Sequence, residues 1–468
     1  MVPSTRLLRL SSLRVELRLK RLIGVSMLLG FSWLHAQLGG TYNITGISDP
    51  SNGQFATIQE AFDSLMSQGV DPPGVTFKVQ NSWVGSPTGQ DAEPNTIQLS
   101  TYNGAASDAP VTLTFEDLSS RVYFDSPGQF IFRFTGSVKY FTLDGAGNLI
   151  LRSIAMGGTS TGLIGFVSSF SQDLDIDAIT IKNVVMQGSG RDYTFVGVYI
   201  GDASWGLGES VTPGSSIGAN EGITIQGCTI DLVSRPILVA GRRANTRNIR
   251  VIQDTLGDPT NSTAWAADDN IGAVHLRGVQ YPIVQGCVVH GETNYSSNHS
   301  VAGIRLDSCE NFTITQNWVY NIQYFGLLGQ TRGYGSYGIY IALPSTFIGS
   351  PVNNVVSHNM LAGLSGDGDV VSFPSYIPAG IFVEATSGSI SNARLALIHN
   401  SIHLFGSNDP GFFARYTGSS AGIAISARVQ GGVKIDGNLI QNTFNAIGSD
   451  TAYGLVIAAD NPSGFDIN

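Results

Sequence analysis

Four short segments of the chain carry side chains that could do chemistry together. AVHL, GIRL, GIYI and GIFV begin at Ala273, Gly303, Gly338 and Gly380, and their third residues are His275, Arg305, Tyr340 and Phe382. In an extended strand alternate residues face opposite sides. With the aliphatic second and fourth positions turned inward, the third faces out, and so do Arg277, Asp307 and Glu384 two positions later. A histidine beside arginines suits proton abstraction next to a uronate carboxylate, as in a lyase. Carboxylates from Asp307 and Glu384, or from Asp268 and Asp269 in the segment before AVHL, suit glycoside hydrolysis, which needs a carboxyl pair ~5–9 Å apart. Outward aromatics, with Trp265 from the same preceding segment, suit stacking on sugar rings. Catalysis is therefore assigned to His275, Arg305 and Asp307, and ligand binding to Arg277, Tyr340, Phe382, Glu384, Trp265, Asp268 and Asp269. The plainer alternative is a solvated sheet face, where outward polar residues are ordinary.

What would position these residues is an internal repeat. Eight segments share one template: ITIKNVVM, ITIQGCTI, IRVIQDTL, PIVQGCVV, FTITQNWV, NVVSHNML, LALIHNSI and VKIDGNLI. Each holds two aliphatic residues five apart, from Ile181 and Met186 to Ile435 and Ile440. Between them runs a corner column: Val184, Cys228, Asp254, Cys287, Asn317, Asn359, Asn400 and Asn438. Stacked asparagines can bond one another above and below, which satisfies amides that would otherwise be buried unpaired. Cys228 and Cys287 then serve as small fillers of the same column. The GIxI-type strands alternate with these segments, so both recur once per coil. Corner spacings of 44, 26, 33, 30, 42, 41 and 38 residues exclude a strict-period solenoid and put the surplus length into loops. The pattern predicts an all-β, single-stranded right-handed parallel β-helix.

Composition agrees with an elongated β protein. Charged residues are only 13% of 468, and 57 glycines supply turns. Arg6, Arg9, Arg14, Arg18, Lys20 and Arg21 precede the apolar run Leu22–Leu34, which is too short to span a bilayer as a helix and reads as an export signal over 1–36. Losing it removes six basic residues and one acid and takes the formal charge from −10 to −15. Such a chain suits neither nucleic acid nor an anionic membrane. Three cysteines, an odd number without CxxC spacing, exclude a disulfide framework.

A stack of coils needs a cover at its open end. FATIQEAFDSLMSQG (55–69) supplies one: Thr57 with Glu60 forms a capping box, Ile58, Ala61, Phe62, Leu65 and Met66 share a face, and Gly69 ends the helix. This segment resembles the cap of pectin-lyase-like parallel β-helix proteins. AQLGGTYNITG before it resembles the mature start of large bacterial surface proteins exported by the type IX route. The resemblance covers nearly all of the mature chain and implies the fold. It leaves function open, because that superfamily holds lyases, hydrolases and adhesins alike. The expected organisation is a signal peptide over 1–36, an N-terminal cap over 37–110 and the β-helix over 111–468, with Asn468 falling inside a GIxI-type strand (GFDIN) of a truncated stack.

Two functional readings follow. The first is a secreted or cell-surface, monomeric β-helix that binds a polysaccharide or cell-surface glycan without turnover, through the exposed GIxI face and its long aromatic loops. The second is a polysaccharide lyase or glycoside hydrolase acting at His275, Arg305 and Asp307. No cofactor is required by either, and SGDGDV (365–370) is the one candidate Ca2+ loop.

Overall fold

The computed structural model describes residues 37–468 except 84–92, 117, 120, 156–160, 168–174, 191–193, 202–219, 258–270, 292, 295–299, 325–334, 349–352, 367–373, 406–418, 444–450 and 460–463. The export segment over 1–36 lies outside the described residues. Among those described, the strands form three long parallel sheets of 16, 10 and 11 strands. Each coil contributes one strand to each sheet in turn, so the chain is a parallel β-helix. We call them the long sheet (Leu38–Ile44 through Phe465–Ile467), the corner sheet (Val122–Ser126 through Leu439–Asn442) and the face sheet (Ile97–Leu99 through Ala452–Ile457).

The repeat acts through one backbone conformation. Asn183, Gly227, Gln253, Gly286, Gln316, His358, His399 and Gly437 all have φ between 53° and 66°. One left-handed residue per coil turns the chain sharply from the long sheet into the corner sheet, at ~1–2 kcal/mol for each residue bearing a Cβ. The residue after each turn points inward, and there the ladder forms. Asn317 donates through Nδ2 to Asn359 Oδ1 at 2.9 Å, Asn359 to Asn400 at 2.9 Å, and Asn400 to Asn438 at 2.9 Å. The same Nδ2 groups donate back to the carbonyls of Val284, Ile314 and Val356, each at 3.0 Å. The backbone N–H one coil earlier donates to each Oδ1, from Cys287 to Asn317 at 2.9 Å and from Asn317 to Asn359 at 3.1 Å.

Cys228 and Cys287 stand in this column as buried thiols, their Sγ atoms 3.8 and 3.5 Å from the carbonyls of Ile181 and Val251. Asp254 sits between them. Its Oδ1 accepts from Cys228 N at 2.7 Å, while Oδ2 is buried with no partner among the described residues. An ionised carboxylate there cannot donate as an amide does. Burial accordingly raises its pKa to about 7, against the bond from Cys228.

The cap is a helix over Ile58–Gln68. Thr57 accepts from Glu60 N, and Ile58, Ala61, Phe62 and Leu65 are buried. Phe62 meets Phe77 and Phe141 at 6.5 and 5.9 Å, the first rings of an aromatic core that gives way to aliphatics in later coils. The buried Glu93 holds the helix start, accepting from Ile58 N, Gln59 N and Trp83 Nε1. Leu38–Ile44 and Val70–Val79 on either side of the helix already belong to the long sheet. One expectation is corrected: the strand in GFDIN, Phe465–Ile467, pairs with Val433–Asp436 in the long sheet and is not a GIxI-type strand. Its spacing of one inward residue in two fits either sheet, and the hydrogen-bond partner decides.

Two stability changes follow. Asn359→Ala leaves donors of Asn317 without an acceptor and should lower unfolding free energy by about 3 kcal/mol in a denaturant titration. Asp254 keeps its proton in the fold and releases it when unfolded, so its contribution is present at acid pH and is lost as pH rises from about 4 to about 7. Asp254→Asn, which supplies an amide like its neighbours, should remove that slope and stabilise the protein at pH 8 on the order of 2 kcal/mol.

Candidate functional site

The face sheet carries the residues singled out for chemistry. Ile271–Arg277, Val301–Asp307, Ser336–Leu343 and Ala379–Ala385 are successive strands in it. Their register sets two outward columns: His275, Arg305, Tyr340 and Phe382 in one, and Arg277, Asp307, Ala342 and Glu384 in the other. The face is not exposed, which corrects the first expectation about it. His275, Arg305, Tyr340 and Phe382 are buried, and Arg277, Asp307 and Glu384 are half-buried. The reason is composition. On one side of the polar residues Tyr199, Leu238 and Ala240 cluster with Phe130, Val167 and Val196. On the other, Tyr337, Tyr340 and Phe382 cluster with Ile377 and a run of alanines. A parallel sheet covered on both faces reads as apolar on both. The polar side chains form an island in that second apolar layer.

Within the island Asp307 is the hub. Its Oδ2 accepts from His275 Nε2 at 2.7 Å and from Arg305 Nε at 2.8 Å. Burial pushes the carboxyl up, but the Arg305 charge and the His275 bond outweigh it and hold Asp307 well below the usual carboxylate range. Arg305 stays cationic, because the attraction of Asp307 exceeds the penalty of burial. Its guanidinium also lies 4.1 Å from the centre of the Tyr340 ring. Burial lowers His275 to about 4, so the imidazole is neutral and Nε2 carries the hydrogen bonded to Asp307. Nδ1 is then an acceptor, buried and without a partner among the described residues. Asp307 Oδ1 takes no hydrogen bond among the described residues.

Glu384 lies two coils further along the Asp307 column, with Ala342 between. Tyr340 donates its hydroxyl to Glu384 Oε1. Burial raises the Glu384 pKa against that bond and the Arg305 charge. When the acid is protonated, Tyr340 occupies Oε1 as acceptor, which leaves the proton on Oε2. The island therefore holds two carboxyls with opposite tendencies, Asp307 kept ionised and Glu384 biased toward its acid form, with Ala342 between them. Tyr337 and Phe382 stack beside them at 5.0 Å and 17°.

The structure thus brings His275, Arg305, Asp307, Tyr340, Phe382 and Glu384 into one cluster, with Arg277 one coil from Asp307 in its column. Trp265, Asp268 and Asp269 lie outside the described residues. So does the calcium loop from Asp367 on, and among the described residues no group of three or more His, Cys, Asp or Glu could hold a metal ion. Sequence reasoning missed Arg235, which is fully buried on this face with its guanidinium 5.0 Å from the Phe195 ring, and whose charge adds to the lowering of His275. It stands immediately before Pro236, outside the four residues of the second motif from which alternation was read.

No protein-family model and no curated protein matches the chain. Among solved structures, the A-module of a mannuronan C-5 epimerase from Azotobacter vinelandii is similar over 91% of this chain and 99% of its own, at 11% identity and a TM-score of 0.35. At that likeness the chemistry of the one says nothing of the other. Among the described residues no helix is long and apolar enough to cross a membrane.

The hub makes a stability prediction. Arg305→Met leaves the Asp307 carboxylate buried beside a neutral histidine and should cost about 3 kcal/mol or more. Adding Asp307→Asn removes the stranded charge, so in thermal unfolding the double variant should be more stable than Arg305→Met alone.

Proposed function

We propose that this is a secreted enzyme that hydrolyses an extracellular polysaccharide with inversion at the anomeric carbon, Glu384 acting as general acid and Asp307 as general base. The supporting observation is the carboxyl pair in one column with Ala342 between. Two coils place their Cα atoms roughly 9–10 Å apart, near the wider separation that inverting hydrolases need to admit a water. Opposed environments assign the roles: Asp307 is held ionised and Glu384 is biased toward its protonated form.

In the step, Glu384 Oε2 gives its proton to the glycosidic oxygen as the bond from that oxygen to the anomeric carbon breaks. Water attacks the opposite face of that carbon and passes a proton to Asp307 Oδ1. The products are a free alcohol and a hemiacetal of inverted configuration, and exchange with solvent restores both carboxyls. His275 and Arg305 are positioning residues: they occupy Oδ2 and so aim Oδ1. Tyr340 plays the same part for Glu384. Elimination is less well supported, because the Nε of Arg305 and the Nε2 of His275 are already committed to Asp307. Glycan binding without turnover would need the same access to this face, and turnover of a polysaccharide is what separates the two readings. Export and a monomeric state belong to the same proposal, the former resting on the basic and apolar stretch before residue 37.

Polysaccharides with neutral and with uronate backbones, followed by proton NMR of the newly formed anomeric centre, provide the test. Inverted product is expected, with kcat lowered about a thousandfold in Glu384→Gln and in Asp307→Asn and KM little changed. The rate should fall toward alkaline pH as Glu384 loses its proton, at higher pH than for an ordinary glutamate. Retained configuration, an unsaturated uronate product, or activity that survives both substitutions would count against the proposal.

A further inference from the structure

Charge is unevenly distributed along the stack. The whole chain holds 25 Lys and Arg against 35 Asp and Glu, yet the stretch 232–253 has five arginines, Arg235, Arg242, Arg243, Arg247 and Arg250, and no acid. The described residues of the next coil, 271–291, add Arg277 and again no acid. Arg235 is buried on the face sheet, and Arg243 is tied down by donating Nη1 to Thr346 O. Arg247 and Arg250 instead stand exposed on the long sheet, in the strands Thr246–Arg247 and Arg250–Ile252. Arg250 lies in register between Thr224 and Ile283, and Arg247 between Glu221 and Gln280. The carboxylate in register with Arg247, that of Glu221, already accepts from Asn248 Nδ2 at 3.0 Å. On the other side Glu310 is buried and accepts from Gln280 Nε2 and Ile348 N at 2.6 and 2.9 Å. Tyr281 completes the patch. It stands on the coil after Asn248, between the Arg247 and Arg250 columns, and is 45% exposed.

We propose that Arg247, Arg250 and Tyr281 bind a polysaccharide that carries anionic substituents, at a site apart from the carboxyl pair. A guanidinium presents a planar fork that matches two oxygens of a carboxylate or of a sulfate half-ester. The phenol between the two forks offers a face on which a pyranose ring stacks. A sugar and its charge are thus met together, which neither residue type does alone. Charge complementarity selects the anion. On a chain of net charge −10, a stretch with arginines and no acid is where the local potential turns positive and draws anions in. Size selects the partner. The patch is two coils deep, about 10 Å at ~4.8 Å per coil, which is room for about two sugar units. A nucleic acid or an anionic bilayer would set many phosphates against the acidic surface around so small a patch. The proposal does not depend on Asp307 and Glu384, which lie on another sheet.

The full chain, titrated by calorimetry at low and at raised salt, provides the test, with sulfated dextran oligosaccharides, oligogalacturonate, uncharged dextran, oligothymidylate and phosphatidylglycerol vesicles as probes. An anionic oligosaccharide should bind, less tightly at raised salt, and uncharged dextran should not. The tighter of the sulfated and the uronate chains identifies the oxyanion. Affinity should fall at least tenfold in the double variant Arg247→Gln/Arg250→Gln and severalfold in Tyr281→Ala, with part of it kept in Arg250→Lys. Lys434→Gln removes a charge from the same sheet far along the stack and should bind as the parent does. So should Asp307→Asn, which separates this site from the candidate catalytic one. The exchanged side chains are exposed, so circular dichroism of the variants should match the parent. Unchanged affinity in the double variant, an equal loss in Lys434→Gln, equal binding of uncharged dextran, or no oligosaccharide bound would overturn the proposal. So would tighter binding of oligothymidylate or of the vesicles than of either anionic sugar, which would assign the patch to a nucleic acid or a membrane.

Discussion

Parallel hydrogen bonding between one residue and its counterpart a full coil later is the constraint on which everything else here rests. It holds from Val111 and Phe141 near the start to Val433 and Phe465 near the end. Because each residue meets its equivalent, any side chain tolerated at one level must be tolerated in a column. That is why asparagine can recur at 317, 359, 400 and 438: each supplies the acceptor that the coil before it needs. It is also why a carboxyl in the same column at Asp254 is an anomaly that only protonation resolves.

The same rule builds the candidate site. A column is an inexpensive way to set a fixed distance between two functional groups, since the interval is a whole number of coils. Asp307 and Glu384 are separated by one intervening strand whose outward residue is Ala342. The apolar clusters to either side lower the local dielectric, so the Arg305 charge acts strongly on Asp307 while desolvation dominates at Glu384. Two carboxyls on one sheet thus acquire opposite tendencies from neighbours one coil apart.

Much of this was legible in the sequence. The corner and the ladder announce themselves in eight templates with aliphatic residues five apart, because both aliphatic positions must face the core in every coil; the left-handed backbone at the corner does not announce itself. The outward placement of His275, Arg305, Tyr340 and Glu384 follows from strand alternation alone. Its burial does not. Whether an outward column meets water depends on what packs over it, and residues such as Phe130 and Ile377 come from segments with no strand periodicity to read. Arg235 was hidden for a related reason: it precedes Pro236, outside the four residues PILV from which alternation was read. Strand GFDIN shows the limit of local pattern, as its partner and not its composition places it in the long sheet.

The central claim is that one column holds a carboxyl kept ionised and a second biased toward its acid form. Carbon-13 NMR titration of the side-chain carboxyls, assigned through Asp307→Asn and Glu384→Gln, tests it most directly. The Glu384 signal should titrate above the range of an exposed glutamate, while Asp307 remains ionised down to the acid limit of the folded protein. Two ordinary titrations, or an Asp307 that takes up its proton before Glu384, would contradict the account.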